Sequence, residues 1–123
     1  MEANSDTVCT SEPPPLREAN LTRLAGAVAV PTYARQDLRR SIVHLGVGGF
    51  HRAHQALYLD DLAQRSISLE WGETGVGLLP GDRRMADALL PQNCLYTLVE
   101  RSAERDMARV VGSLVALQSA VKR

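Results

Sequence analysis

The sequence predicts an α/β fold, and three features carry that prediction. Ile42 to Leu45 is a short apolar, partly β-branched run that stops at Gly46. A glycine-rich turn follows, Gly46-Val47-Gly48-Gly49. His51 to Arg65 then sets Ala53, Ala56, Leu57, Leu59, Leu62 and Ala63 at helical spacing, with Asp60, Asp61 and Gln64 left for a wet side. Strand, glycine turn and helix in that order open a parallel sheet covered by helices.

The remaining elements follow in order. Thr74 to Leu79 predicts a second strand, Pro80-Gly81-Asp82 a turn with a helix start, and Asp82 to Leu90 a short helix closed by Pro91, so the unit is β-α-β-α. Leu95 to Glu100 and Ala108 to Gly112, joined by the polar stretch Arg101 to Met107, predict a hairpin inserted on the sheet. Leu114 to Val121 reads as the start of a helix. At the other end, Met1 to Glu18 mixes Ser, Thr and Glu with a Pro13-Pro14-Pro15 run; it cannot bury enough apolar area to offset its ordering entropy and is expected to be a mobile tail. Residues 19–40 form a lead-in, with an apolar patch from Leu24 to Val30 ending at Pro31 and one helical turn within Arg35 to Arg40. The expected domain spans 41–123.

Composition sets the outer limits. A chain of 123 residues has room for one modest domain. Fourteen Lys plus Arg balance fourteen Asp plus Glu, which leaves no basic excess to track phosphates on nucleic acid; 4% aromatic content argues against base-stacking platforms. No apolar stretch approaches the roughly eighteen residues of a membrane span, and the acidic first twenty residues do not form a secretory leader. Cys9 and Cys94 have no second cysteine near either, so a reducing, cytoplasmic setting is expected.

The glycine turn is where chemistry is expected. A strand that runs through it into a helix start points backbone N–H groups at one spot, which suits a pyrophosphate. Gly46 can take the φ of a tight turn, and Gly48 removes a Cβ that would hold a dinucleotide away. The third glycine of the generic G-x-G-x-x-G pattern falls at His51, so that match is partial.

The letters around the turn are more specific. Ile42-Val43-His44-Leu45-Gly46-Val47-Gly48-Gly49-Phe50-His51-Arg52-Ala53-His54-Gln55-Ala56, with Tyr58 and Asp60-Asp61-Leu62, resembles the N-terminal signature of the mannitol dehydrogenase family. These are the long-chain polyol and sugar-acid dehydrogenases that include mannitol 2-dehydrogenases and fructuronate reductases. The resemblance continues through Trp71, Gly75-Val76-Gly77-Leu78, Asp82-Arg83, Leu95 to Leu98 and Ala108 to Ser113, and covers about Leu21 to Ser113.

The resemblance implies an incomplete Rossmann-like domain and NAD-dependent, metal-independent hydride transfer at a secondary alcohol, of the D-mannitol to D-fructose type. Fructuronate reduction is the alternative, suggested by Leu79-Pro80-Gly81. It further implies that Gly46, Val47, Gly48, Gly49, Phe50, His51, Arg52 and Ala53 hold the cofactor pyrophosphate and its surroundings, Arg52 adding charge, and that Asp82 bonds the adenosine ribose. Gly81 stands where many relatives carry a second acid, which weakens the preference for NAD over NADP. The family's catalytic lysine, followed by Asn and His, lies in a C-terminal domain. The single lysine here is Lys122, so no catalytic residue is carried over. Three functions follow as alternatives: the cofactor-binding part of a dehydrogenase, completed by a C-terminal partner subunit if split; a non-catalytic binding module; or a remnant.

Other residues have plainer expectations. His44, His51 and His54 lie close in sequence, but strand alternation and the bend at the turn are expected to separate His44 from the other two, so no metal site is assigned. Asp60 and Asp61 are expected on a solvated helix face, Tyr58 and Trp71 in the core or a cleft wall, Arg39-Arg40 and Arg83-Arg84 on the surface, and Cys94 buried. The resemblance implies an apolar residue where Glu73 stands: the carboxylate is buried at a cost, or the strand begins at Thr74 and leaves it wet.

Overall fold

The structure, a computed structural model, describes residues 12–120, so Cys9, Lys122 and most of the expected tail lie outside it. Three strands, β1 (Arg40–Leu45), β2 (Gly72–Gly77) and β5 (Leu114–Ser119), form one parallel sheet in the order β1-β2-β5. Two more, β3 (Tyr96–Arg101) and β4 (Asp106–Val111), pair antiparallel as the expected hairpin. Helices α2 (Gly49–Ala53) and α3 (Gln55–Gln64) connect β1 to β2. Helix α4 (Asp82–Leu89) and the hairpin connect β2 to β5, while the single-turn α1 (Leu21–Leu24) lies in the lead-in. Read from β5, the sheet has the 3-2-1 order of the first half of a doubly wound nucleotide-binding fold.

That order corrects the expected helix at Leu114. A short apolar run has no period that separates strand from helix, and here the open edge of β2 decides: Thr74 faces Ala116 and Val76 faces Gln118 in parallel register. The sheet therefore holds three parallel strands instead of two. Val43 and Leu45 on β1 remain exposed.

Two boundaries also move. The helix expected from His51 to Arg65 breaks at His54, whose φ of −123° and ψ of −83° leave the helical region, and whose Nδ1–H donates to the Phe50 carbonyl at 2.8 Å. The second strand begins at Gly72 and ends at Gly77, so Glu73 is a strand residue. Its neighbours in register are Ile42 of β1 and Leu114 of β5, which leaves the side chain no route to water.

The lead-in is strapped to the domain. Arg35, buried, donates from Nε to the Gly112 carbonyl at 2.9 Å and from Nη2 to the carbonyls of Asn93 at 2.9 Å and Leu114 at 2.8 Å. Glu18, expected in the tail, pairs with Arg35 at 3.8 Å and donates its N–H to Asn93 Oδ1 at 2.9 Å. The core joins Val47, Ala56, Leu57, Leu89, Cys94, Tyr96, Val111 and Leu114, so the glycine turn, both helical layers and the hairpin share one apolar interior. Each fully buried leucine among them contributes about 2 kcal/mol.

Candidate functional site

The glycine turn begins where the β1 ladder ends. Gly46 donates its N–H to the Val76 carbonyl at 2.7 Å and takes φ +85°, the left-handed region that favours glycine. Val47 turns inward and is buried against β2. A Cβ on Gly75 would overlap its side chain, which explains why the central strand carries glycine there. Gly48 has an extended backbone that any residue could adopt, and a Cβ built on it meets nothing within 4 Å. The space in front of Gly48 is thus open to a ligand and would be filled by any larger side chain.

That space belongs to an open cleft of about 750 Å³ between the C-terminal end of β1 and the α2–α3 helices. Gly46, Gly48, Phe50 and His51 line it, together with His44, Leu45 and Tyr58. Phe50 is 80% exposed and lies stacked on the His54 ring, centroids 4.2 Å apart. Tyr58 and Trp71 are both exposed and take the cleft-wall place of the two expected, Tyr58 here and Trp71 in a separate open pocket beside Arg39, Ser41 and Glu70.

Behind the cleft lies a buried His51–Glu73 pair that decides one open expectation and corrects another. Glu73 has 0% exposure, and His51 Nε2 lies 2.9 Å from its Oε2. His44 is not separated from His51: the two rings stack at 3.7 Å, tilted by 16°, and His44 Nδ1–H donates to the Gly46 carbonyl at 2.6 Å. Alternation puts His44 and Ile42 on one face of β1, and α2 folds back over that face. Among the described residues no group of three His, Cys, Asp or Glu side chains could hold a metal. His51 Nδ1, Glu73 Oε1 and Arg52 Nε are buried without a hydrogen-bond partner.

Arg52 is drawn inward. Its guanidinium lies 5.8 Å from the Tyr96 ring centroid, and the Tyr96 hydroxyl donates to the Arg52 carbonyl at 2.6 Å. Burial pushes the Tyr96 hydroxyl well above the ordinary tyrosine range, with Arg52 opposing that rise. Asp82 sits at the end of β2, so close that a Cβ on Gly77 would lie 2.9 Å from its own. Its Oδ2 accepts from the N–H groups of Leu78 at 2.8 Å and Leu79 at 2.9 Å. Asp82 and Val47 line one small cavity, which brings the acid beside the glycine turn across 35 residues of sequence.

A second buried cluster was invisible in the sequence. Asp60, expected to be wet, is 1% exposed; it accepts from the Gly112 N–H at 2.9 Å, from the Tyr33 hydroxyl and from Arg109. Arg109 also donates to Asp61 at 2.6 Å. No spacing rule links residues about fifty positions apart, so only the docking of the hairpin on α3 reveals the set.

The fold and turn define a Rossmann-like α/β domain. Comparison with known proteins narrows the class: the family model described as the mannitol dehydrogenase Rossmann domain matches residues 40–122, and the chain belongs to that family. A mannitol 2-dehydrogenase from Aspergillus niger is 50% identical over 104 residues, covering 80% of this chain and 21% of that protein. Mannitol dehydrogenase 2 of Saccharomyces cerevisiae is 40% identical over 116 residues, covering 94% of this chain and 22% of its own length. Among solved structures, a Pseudomonas fluorescens mannitol 2-dehydrogenase in ternary complex with NAD and D-mannitol superposes with a TM-score of 0.79 at 44% identity, over 85% of this chain and 22% of that one. A substrate-free D-sorbitol dehydrogenase gives 0.76 at 33% identity, again over 85% and 22%. The chain thus spans about a fifth of the length of the curated relatives it matches.

Proposed function

We propose that this chain holds NAD for an oxidoreductase that interconverts a polyol and its ketose, D-mannitol and D-fructose being the leading pair. One observation carries the proposal: a left-handed Gly46 turns β1 into α2 and leaves unobstructed space in front of Gly48, within an open cleft. Gly46 to Ala53 would hold the pyrophosphate by backbone N–H groups, and Phe50, solvent-facing, would cover an apolar part of the dinucleotide. Asp82, fixed through Oδ2, would bond the adenosine ribose. The nicotinamide, when bound, supplies the hydride acceptor. The residues here bind and orient; the sequence holds no Lys-Asn-His set, so proton transfer at the substrate falls to a C-terminal region or partner subunit. Mannitol and sorbitol enzymes among the relatives favour a polyol over a sugar acid. The lead-in, residues 19–40, acts with the domain at 41–123, and a cytoplasmic setting suits an NAD enzyme.

Titration of the 123-residue chain with NADH, followed by nicotinamide emission, tests the site. Saturable binding that Gly48→Val abolishes is the expected result, because the valine fills the space in front of the turn. Unchanged affinity in that variant overturns the assignment.

A further inference from the structure

β1 ends one side of the parallel sheet, and among the described residues no strand pairs with its outer edge. Gly46 donates toward β2, so strand alternation turns the backbone N–H and C=O of Val43 and Leu45 away from β2. Their side chains stand on the sheet face opposite α2 and are 64% and 63% exposed. On the other face Phe50 and Tyr58, both exposed, border the same edge through the cleft they share with His44 and Leu45. An unpaired backbone row thus has apolar side chains on both flanks. Edges of this kind are ordinarily guarded by a lysine, a proline or a bulge. β1 holds neither Lys nor Pro, and its one irregularity falls between Arg40 and Ile42, before the outward-facing residues.

The opposite edge of the sheet differs. On β5 the Leu114 carbonyl is taken by Arg35, Val115, Ala116 and Leu117 are partly buried, and the strand ends in Gln118 and Ser119. Only β1 offers both free backbone groups and exposed apolar cover.

We infer that the 123-residue chain pairs through β1 with a second copy of itself, antiparallel about a two-fold axis at His44. In that register Val43 lies opposite Leu45 of the second copy and exchanges both backbone bonds with it, and the two-fold repeats the pair. Every outward-facing backbone group of Val43 and Leu45 then has a partner, and their side chains form one apolar block on the open face. No like charges meet: Arg40, the only Lys, Arg, Asp or Glu of β1, falls beyond the paired residues, level with Gly48 of the second copy. With Phe50 and Tyr58 these side chains offer on the order of 500 Å² per copy, about 1,000 Å² in the pair, where specific interfaces begin. The two sheets become one with β5 at each end, so association closes at two copies. The pairing does not depend on the dinucleotide reading.

Sedimentation velocity of the 123-residue chain from about 1 to 300 μM, with amide exchange of β1 followed by mass spectrometry over the same range, tests the pairing. The expected result is a monomer–dimer equilibrium, with β1 exchange slowing several-fold as the dimer forms. Val43→Lys, at an exposed position outside the cleft, should raise the dissociation constant at least tenfold, whereas Val99→Lys, exposed on the hairpin, should leave it unchanged. Exchange on the unaltered chain keeps the test open if a variant fails to fold. A chain that stays monomeric throughout overturns the dimer and leaves the β1 edge to a strand of another polypeptide. A dimer that Val43→Lys keeps, or whose formation does not slow β1 exchange, has its contact elsewhere and also overturns the pairing. Growth beyond the dimer overturns it too, because the two-fold closes.

Discussion

Two buried polar clusters, one around Asp60 of α3 and one around Glu73 of β2, differ in completeness. Around Asp60 the demands are met: Tyr33, Gly112 and Arg109 all donate to it, and Arg109 reaches Asp61 as well. Around Glu73 they are not: His51 Nδ1, Glu73 Oε1 and Arg52 Nε are buried without partners. A satisfied cluster ties three parts of the chain together, here the lead-in, α3 and the hairpin. An unsatisfied one beside a cleft keeps hydrogen-bonding capacity next to the open space.

The largest effect expected from this contrast is on stability. Asp60→Ala should cost about 2–4 kcal/mol, because it leaves the Gly112 N–H and the Tyr33 hydroxyl without their acceptor and takes one of the two carboxylates from Arg109. Urea unfolding followed by far-ultraviolet circular dichroism measures this. Glu73→Ile should change stability by less than about 2 kcal/mol in either direction, since it removes a buried carboxylate while leaving the second imidazole nitrogen of His51 unpaired as well. Equal losses at the two positions would erase the distinction between them.

Asp82→Ala comes next. Losing the acceptor for Leu78 and Leu79 N–H should cost about 1 kcal/mol, and NADH affinity should drop more than NADPH affinity. An equal loss for both cofactors would leave Asp82 as a turn residue only.

The smallest effect near neutrality lies in alkaline titration. Burial and the Asp60 charge raise Tyr33 above its ordinary value, and burial raises Tyr96. The unfolded chain releases these phenolic protons from about pH 10 while the folded chain keeps them, so their contribution is complete below that pH and is lost as pH rises. Absorbance of tyrosinate during an alkaline titration should therefore show two late-ionising residues that appear together with unfolding. Early, independent ionisation of Tyr33 would mean its bond to Asp60 does not hold the lead-in. Burial also raises the Cys94 thiol, so a thiol reagent should react with it far more slowly in the native chain than in urea.

Much of this was readable from local chemistry. Gly46 declares a turn by its position after a β-branched run, the α4 boundaries follow from the Pro80-Gly81-Asp82 turn and Pro91, and the polar stretch from Arg101 to Met107 announces the hairpin. What escaped was long-range. Leu114 to Ser119 carries no periodic signal and became a strand because β2 offered an edge. Asp60 looks like a helix surface residue until Arg109 and Gly112 arrive from 49 and 52 positions away. His44 and His51 appear separated by a bend, yet that same bend folds one ring onto the other.

The sequence by itself therefore determined the β-α-β-α order, the left-handed glycine and the family resemblance, because these depend on φ preferences and on residues a few positions apart. Only tertiary structure decided the third parallel strand, the burial of Glu73 against His51 and the Asp60–Arg109 anchor. Burial and charge pairing are set by what packs from distant parts of the chain, and a carboxylate's surroundings are not written in its neighbours.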